Sequence, residues 1–419
     1  MAIAVALVVW ARLWGQHVHW HQSGTEALLG AAPLFGKWDL EWRWWMVAAV
    51  AVGATGTVLA PRLWRSLPWP SALVVTWAMA AAWAVALASS EGMSRLAEPL
   101  VGGLEYYAVL EEIDGVGAFL AGYVEDLADY PTHVRGHPPG MVLAYLGLER
   151  IGLAGPGWAA AAVLTAGTST VVAVMLTLRE VAGAAVARAA APFLALAPVA
   201  IWVASSADAV FAATAAWGTA LVVVASGRPR SGWWALAGGG VLGLGLHMSY
   251  GLVLALVVPA AVVVTRRRAD VVLWACVGAA AVTLLFALGG FWWFDGLSAT
   301  RGFYAEGVAR DRPYLYSVVG NLGAMVLVIG PGAVAGLGAL AARRRELGGL
   351  ALLVAAGVLA VVAADLSGLS KAEVERIWMP FAPWLIAAGA ACPTRWQRPA
   401  LAASVATALV MQTWLRSPW

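Results

Sequence analysis

Cysteine is almost absent. The two present, Cys276 and Cys392, lie in or beside apolar runs, so neither a disulfide framework nor a thiolate metal site is indicated. Charge is scarce as well: 12% of residues are charged against 62% hydrophobic, and the mean hydropathy is +0.79. A soluble chain of 419 residues could not hide so much apolar surface, which excludes an ordinary globular domain and makes lipid the solvent for most of the molecule. Lysine occurs only as Lys37 and Lys371, and no basic tail or patch is present, so nucleic acid is not an expected partner. No repeat of 20 to 50 residues stands out. The net charge of +3 carries little by itself. In a membrane protein its distribution holds the information.

What the sequence has instead is apolar runs. A helix needs about 20 such residues to cross roughly 30 Å of hydrocarbon with every backbone group satisfied internally. Runs near 1–14, 44–60, 71–89, 157–178, 183–203, 208–226, 232–246, 249–265, 271–291, 318–341, 348–365, 377–392 and 399–415 predict an all-α, polytopic transmembrane bundle of about 13 spans. The first run ends at Arg12 with no small-residue cleavage site before Trp14, and is read as an anchor.

Arginines then sort the loops. Arg62 and Arg65, Arg179 and Arg188, Arg228 and Arg230, Arg266 to Arg268, Arg343 to Arg345, and Arg395 with Arg398 mark cytoplasmic loops by the positive-inside rule. Segments 15–43, 90–156, 292–317 and 366–376 fall outside, and every carboxylate except Glu180, Asp270 and Glu346 lies on that side or at its border. This sorting requires that 139–153 not cross. It is about 22 Å long as a helix and carries Glu149 and Arg150, so it is expected to lie in the outer interface, opened by Pro138 and Pro139. The chain divides into two N-terminal spans with an outer loop (1–70), a core with the acidic loop 90–156 (71–270), and C-terminal helices (271–419). Mixed apolar and charged spacing over 94–113 and 115–128 predicts two or three interfacial helices in that loop.

A loop this long and this apolar is a functional segment rather than a connector. It holds Glu105, Asp126 and Asp129, then His133, Arg135 and His137 in the string YPTHVRGHPPG. Carboxylates pressed against an interface are partly desolvated, which favours a general base. The alternative for each is a solvated helix face.

Residues Glu105-Tyr106-Tyr107-Ala108, His137-Pro138-Pro139-Gly140 and Ser206-Ala207-Asp208 at a span mouth give the segment 71–270 its family likeness. In this order the chain resembles the GT-C superfamily of polyprenyl-phosphate-sugar-dependent glycosyltransferases. The resemblance implies a GT-C-like fold and an inverting enzyme of the plasma (inner) membrane with an extracytoplasmic active site. It would move a mannosyl, arabinosyl or methylthioxylosyl unit from a polyprenyl-phosphate donor to an envelope glycan or lipoglycan. The base stays open among Glu105, Asp126 and Asp129. Because a lipid phosphate departs without a proton, one carboxylate suffices, together with cations for the phosphate. Arg301, Arg310, Arg312 and Arg376 are the outer candidates. Arg376 comes first, with Glu375 expected to hold it.

Asp208, His247 and Tyr250 complete the expected substrate-binding set with His133, Arg135, His137, Arg301, Arg310, Glu375 and Arg376. His247, Ser249 and Tyr250 form a polar hairpin that either lines a sugar pocket or satisfies a turn. His17, His19 and His21 alternate among tryptophans and are read as an interface belt, so no metal site is assigned, although the family chemistry leaves room for a divalent cation. Scarce lysine with abundant alanine, glycine and arginine fits a GC-rich bacterial genome. The competing readings are a transporter or lipid flippase, which needs ionisable residues inside spans, and a non-catalytic envelope assembly factor that docks partners on the loop.

Overall fold

The computed structural model describes residues 1–18, 30–40 and 44–418. His19 and His21 of the alternating triplet lie outside them. The architecture is all-α. In chain order come α1 (Ala2–Gly15), α2 (Met46–Ser66) and α3 (Trp69–Ala88), then the long loop with α4 (Val116–Gly122), α5 (Thr132–Arg135) and α6 (Gly140–Arg150). After it follow α7 (Pro156–Ala182), α8 (Ala184–Ala195), α9 (Asp208–Ser226), α10 (Gly232–Leu246), α11 (Val257–Thr265), α12 (Ala269–Leu288), α13 (Trp293–Glu306) and α14 (Tyr314–Ala342). The chain closes with α15 (Gly348–Leu366), α16 (Val374–Ile377), α17 (Ala382–Ile386) and α18 (Thr394–Trp414). One small feature departs from helix: β1 (Lys37–Trp38) pairs antiparallel with β2 (Leu415–Arg416), clasping the two ends of the chain.

Among the described residues six helical segments are long and apolar enough to cross a membrane: Trp69–Glu91, Pro156–Ala182, Asp208–Ser226, Ala269–Leu288, Tyr314–Ala342 and Gly348–Leu366. Only 17% of the apolar window of α12 is buried by protein, an exposure that makes sense only in lipid. Other expected runs are shorter or interrupted. The run 183–203 stops at α8 and resumes as a 3₁₀ turn at Pro198; 377–392 is cut into α16, α17 and a 3₁₀ turn. Proline explains both breaks, because it removes a donor and clashes with the preceding turn. Within α14 the backbone kinks at Gly330, φ 79°, just before Pro331. The first turn of α18 carries Arg395, Gln397 and Arg398, which shortens its apolar part.

Small residues set how closely the helices approach. Along α10, a side chain on Gly239 would strike the backbone of Ala275 in α12, and one on Gly278 would strike that of Leu236. Gly167 of α7 leaves room for Ala209 of α9 in the same way. Lipid tails are as apolar as leucine, so this close packing replaces the hydrophobic drive available in water. One continuous cluster of buried residues runs through all three sequence segments.

The loops sort into two ends. At one end Arg65 donates to Gln397, Arg266 meets Glu180, and Arg343 donates to the Ala391 carbonyl. At the other, the Gly140 N–H donates to the His247 carbonyl and Gln412 donates to Ser90. Helix α7, 27 residues and about 40 Å long, connects the two. Pro156 opens it and Gly183, φ 92°, closes it, the usual proline-in, glycine-out arrangement.

The long loop is more broken than its spacing suggests. Short 3₁₀ turns occupy 89–91, 93–96, 98–100, 106–112 and 126–128, interrupted at Gly92, Gly102–Gly103, Gly115 and Pro131. Helix α6 has 11 residues, about 16 Å, well short of a bilayer core. Tyr107 pins its far end, donating to Glu149 at 2.5 Å and accepting from the Gly155 N–H at 2.9 Å. Both ends of α6 therefore stay at the loop-bearing end of the bundle.

Candidate active site

Four distant sequence segments meet at that end. The Gly102–Gly103 turn swings Glu105 inward, and the His133 N–H donates to the Leu104 carbonyl at 3.1 Å, fixing the strip that carries Glu105 beside α5. Glu105 is buried and lies 2.8 Å from His133 Nδ1. On the other face of the ring, Arg376 Nη2 stands 3.0 Å from His133 Nε2. A guanidinium only donates, so Nε2 is the acceptor of this bond, and Nδ1 is the ring nitrogen nearest Glu105.

Arg376 is the hub. Its Nη1 donates to Asp208 Oδ2 at 2.7 Å and its Nη2 donates to Glu373 Oε2 at 2.6 Å. Burial works against its charge, but Asp208, then Glu373 and Glu105, more than offset this and hold its pKa above the ordinary arginine value. Asp208 opens α9, where the helix N-terminus favours a carboxylate, and Ser206 Oγ donates to its Oδ2 at 2.6 Å.

His137 borders the cluster between Tyr106 and Phe211, with ring centroids 5.6 and 5.4 Å away. Its Nδ1 faces the His133 carbonyl at 2.9 Å, and burial pushes its pKa down to about 4, so it is neutral at physiological pH. The Tyr123 hydroxyl lies 2.8 Å from both the Val134 and His137 carbonyls and clamps the HPPG turn. Burial, with Asp208 and Glu105 nearby, raises the Tyr106 hydroxyl well above the usual phenol range.

Other expected residues lie apart. Asp126 and Asp129 flank a 3₁₀ turn with exposed side chains. Arg301 and Arg310 are exposed, and among the described residues neither bonds to the cluster. Arg135 lies 5.6 Å over Phe303, while its carbonyl accepts from Thr300, tying α5 to α13. His247 stacks on Phe286 at 4.2 Å, and its carbonyl takes the Gly140 N–H at 2.7 Å. That approach is so close that any side chain at position 140 would strike the carbonyl. Tyr250 packs on Trp293, 5.3 Å between centroids. His247 thus supports the HPPG turn from behind.

One pairing needs correction. Glu375 does not hold Arg376: its Oε1 accepts the Phe35 N–H at 2.8 Å, while Glu373 binds the arginine. Adjacent helical residues diverge by about 100°, whereas residues three apart share a face. Glu375 is fully buried, and burial first of all raises its pKa to about 7. Glu373 was not singled out as a site residue, although its i, i+3 spacing to Arg376 was a readable signal, and Arg312 stood only as one of four outer arginines.

Among the described residues no group of three His, Cys, Asp or Glu side chains is placed to hold a metal ion. An apolar cavity of about 40 Å³, lined in part by Ala84, Gly167, Val203 and Met379, is far smaller than a sugar pocket. Compared with protein-family models and with curated proteins, the sequence gives no match.

Proposed function

We propose that this protein is a GT-C-type glycosyltransferase that uses a polyprenyl-phosphate sugar, with Glu105 as its base and Arg376 as its phosphate-binding group. The single observation that carries the reading is the buried run of close polar contacts Glu105–His133–Arg376–Asp208, in which Arg376 bonds to His133 and Asp208 and Glu105 lies 2.8 Å from His133 Nδ1, built from the acidic loop, the strip before HPPG, the Ser-Ala-Asp mouth and the 374–377 turn. On this reading the thirteen apolar runs are spans, and the cluster faces the extracytoplasmic side. Glu105 takes the proton of an acceptor hydroxyl as that oxygen attacks the anomeric carbon. The bond to phosphate breaks on the opposite face, which inverts the configuration. Polyprenyl phosphate leaves without a proton while a guanidinium steadies its charge. His133 holds Glu105 in place, as a positioning residue. A divalent cation beside the phosphate is compatible with this chemistry but is not assigned a ligand set.

The buried position of Glu105 favours it over its two exposed rivals. In membranes supplied with labelled donor, Glu105→Gln is expected to lose sugar transfer at least ~100-fold, the usual scale for a lost general base. Asp126→Asn and Asp129→Asn should stay within about twofold, since neither touches the cluster. Undiminished transfer by the Glu105 variant would remove the mechanism.

A transporter reading draws on one observation. Asp365, buried at the end of α15, accepts from Asn321 of α14 at 2.9 Å, and ionisable groups between spans often mark a transport path. Among the described residues no hydrogen bond joins Asp365 to the cluster, whereas transport needs a succession of such groups.

A further inference from the structure

The two carboxylates on Arg376 are not equivalent. Asp208 is locked by Ser206 at a helix start, and its side chain is 4% exposed. Glu373 is different in three ways. Its side chain is 17% exposed, against 6% for Arg376 and 10% for Arg312, so it sits on the mouth side of both arginines. Its two oxygens are divided between them: Oε2 accepts from Arg376 Nη2 at 2.6 Å, and Oε1 lies 3.8 Å from Arg312 Nη2. Its backbone, at φ 62° and ψ 17°, occupies the left-handed region that residues other than glycine rarely enter.

Arg312 adds an independent observation. It precedes α14, stands 5.7 Å over the Phe35 ring, and its Nε is buried with no hydrogen-bond partner among the described residues. A buried donor left unsatisfied is costly unless another state of the molecule fills it. Two guanidinium groups facing one small anion, with a donor to spare, match the geometry with which arginines take the oxygens of a phosphate ester.

We infer that Glu373 is a resident carboxylate lodged in a two-arginine subsite for a phosphate ester, and that the ester binds by displacing it. The inference rests on the reading of Arg376 as the phosphate-binding group and deepens it. A phosphodiester carries one negative charge, as Glu373 does, so the exchange leaves the charge of the buried cluster unchanged. Glu373 leaves toward the mouth and relaxes its backbone; Asp208 stays and keeps Arg376 in position. Arg312 thereby becomes a ligand-binding residue, and Arg301 and Arg310 do not.

The test uses the full-length protein in detergent micelles, titrated by calorimetry with decyl phosphate and, separately, with inorganic phosphate. Glu373→Gln, which cannot compete as an anion, is expected to bind decyl phosphate at least tenfold tighter than the wild type. Arg312→Gln in the otherwise native chain should weaken binding at least tenfold. Binding of decyl phosphate alone identifies a lipid-linked headgroup as the ligand; equal binding of inorganic phosphate identifies the free anion. Equal affinity of the wild type and Glu373→Gln for both probes overturns the inference, as does undiminished binding by Arg312→Gln, which also serves if the Glu373 variant fails to fold. Because binding is read without sugar transfer, an inactive enzyme with the expected tightening would overturn the transferase reading and leave the subsite standing. Active transfer with no tightening would do the reverse.

Discussion

The two ends of this helix bundle both carry arginine–carboxylate pairs, and they use them in opposite ways. At the end where Arg266 meets Glu180, Arg268 meets Asp270 and Arg343 meets Glu346, the partners are a quarter to three-fifths exposed, and the last two pairs lie within three residues of each other in sequence. Such pairs gain little in water because solvent already satisfies both charges. At the loop-bearing end, Arg376, Asp208 and Glu105 come from segments more than 100 residues apart and are nearly all buried. Each of those charges depends on its partners, because desolvation is repaid only by close, well-oriented counter-charges. One end thus marks topology and the other is a constructed site.

The sharpest way to break this contrast is to remove one partner at each end. Asp208→Ala leaves Arg376 buried with less compensation and is expected to cost about 3–5 kcal/mol. It should appear as loss of monodisperse protein and a large drop in thermal midpoint. A midpoint unchanged by this substitution would mean the cluster is solvated after all.

Next in size is a pH effect. Glu375 has its pKa raised to about 7 from an ordinary 4.5, so the folded state binds its proton more tightly than the unfolded state does. Its contribution is fully present below about 4.5 and is lost as pH rises through 7, a penalty of about 3 kcal/mol at the alkaline end. Glu375→Gln keeps an acceptor for the Phe35 N–H and removes the penalty. The variant should therefore melt higher than the wild type at pH 8 and at the same temperature at pH 4.5. His137, its pKa depressed to about 4, acts in the opposite sense, losing stability as pH falls from 6.5 toward 4; a comparison at pH 8 isolates Glu375. Equal melting at pH 8 would show that water reaches the carboxyl.

The smallest expected effect is at the other end. Asp270→Asn should leave the thermal midpoint unchanged within error at moderate salt, because the Arg268–Asp270 pair is solvent-exposed and screened. A drop comparable with that of Asp208→Ala would erase the distinction between the ends.

Much of the site was legible in the sequence. Asp208 and Arg376 stood out at the border of apolar runs, where charge is costly without purpose, and Glu105 and His133 as members of the long acidic outer loop. Their partners were not legible. What separates Glu105 from the exposed Asp126 and Asp129 is its burial beside His133, which depends on how the Gly102–Gly103 turn folds the strip and on the His133 N–H donating to the Leu104 carbonyl. Glu375 and Glu373 are equally acidic on paper, yet the 374–377 turn points one at Phe35 and the other at Arg376. Arg312 was indistinguishable from Arg301 and Arg310 until α14 brought it over Phe35.

The sequence by itself determined that lipid surrounds this chain, that helices fill it, and that charge divides between two ends, because hydrocarbon tolerates no unpaired backbone and arginines stay where they can reach water. Only the tertiary structure decided which carboxylate meets which arginine. That choice is made by contacts between residues over 100 positions apart, set by how closely glycine and alanine let the helices pack, and no local pattern encodes it.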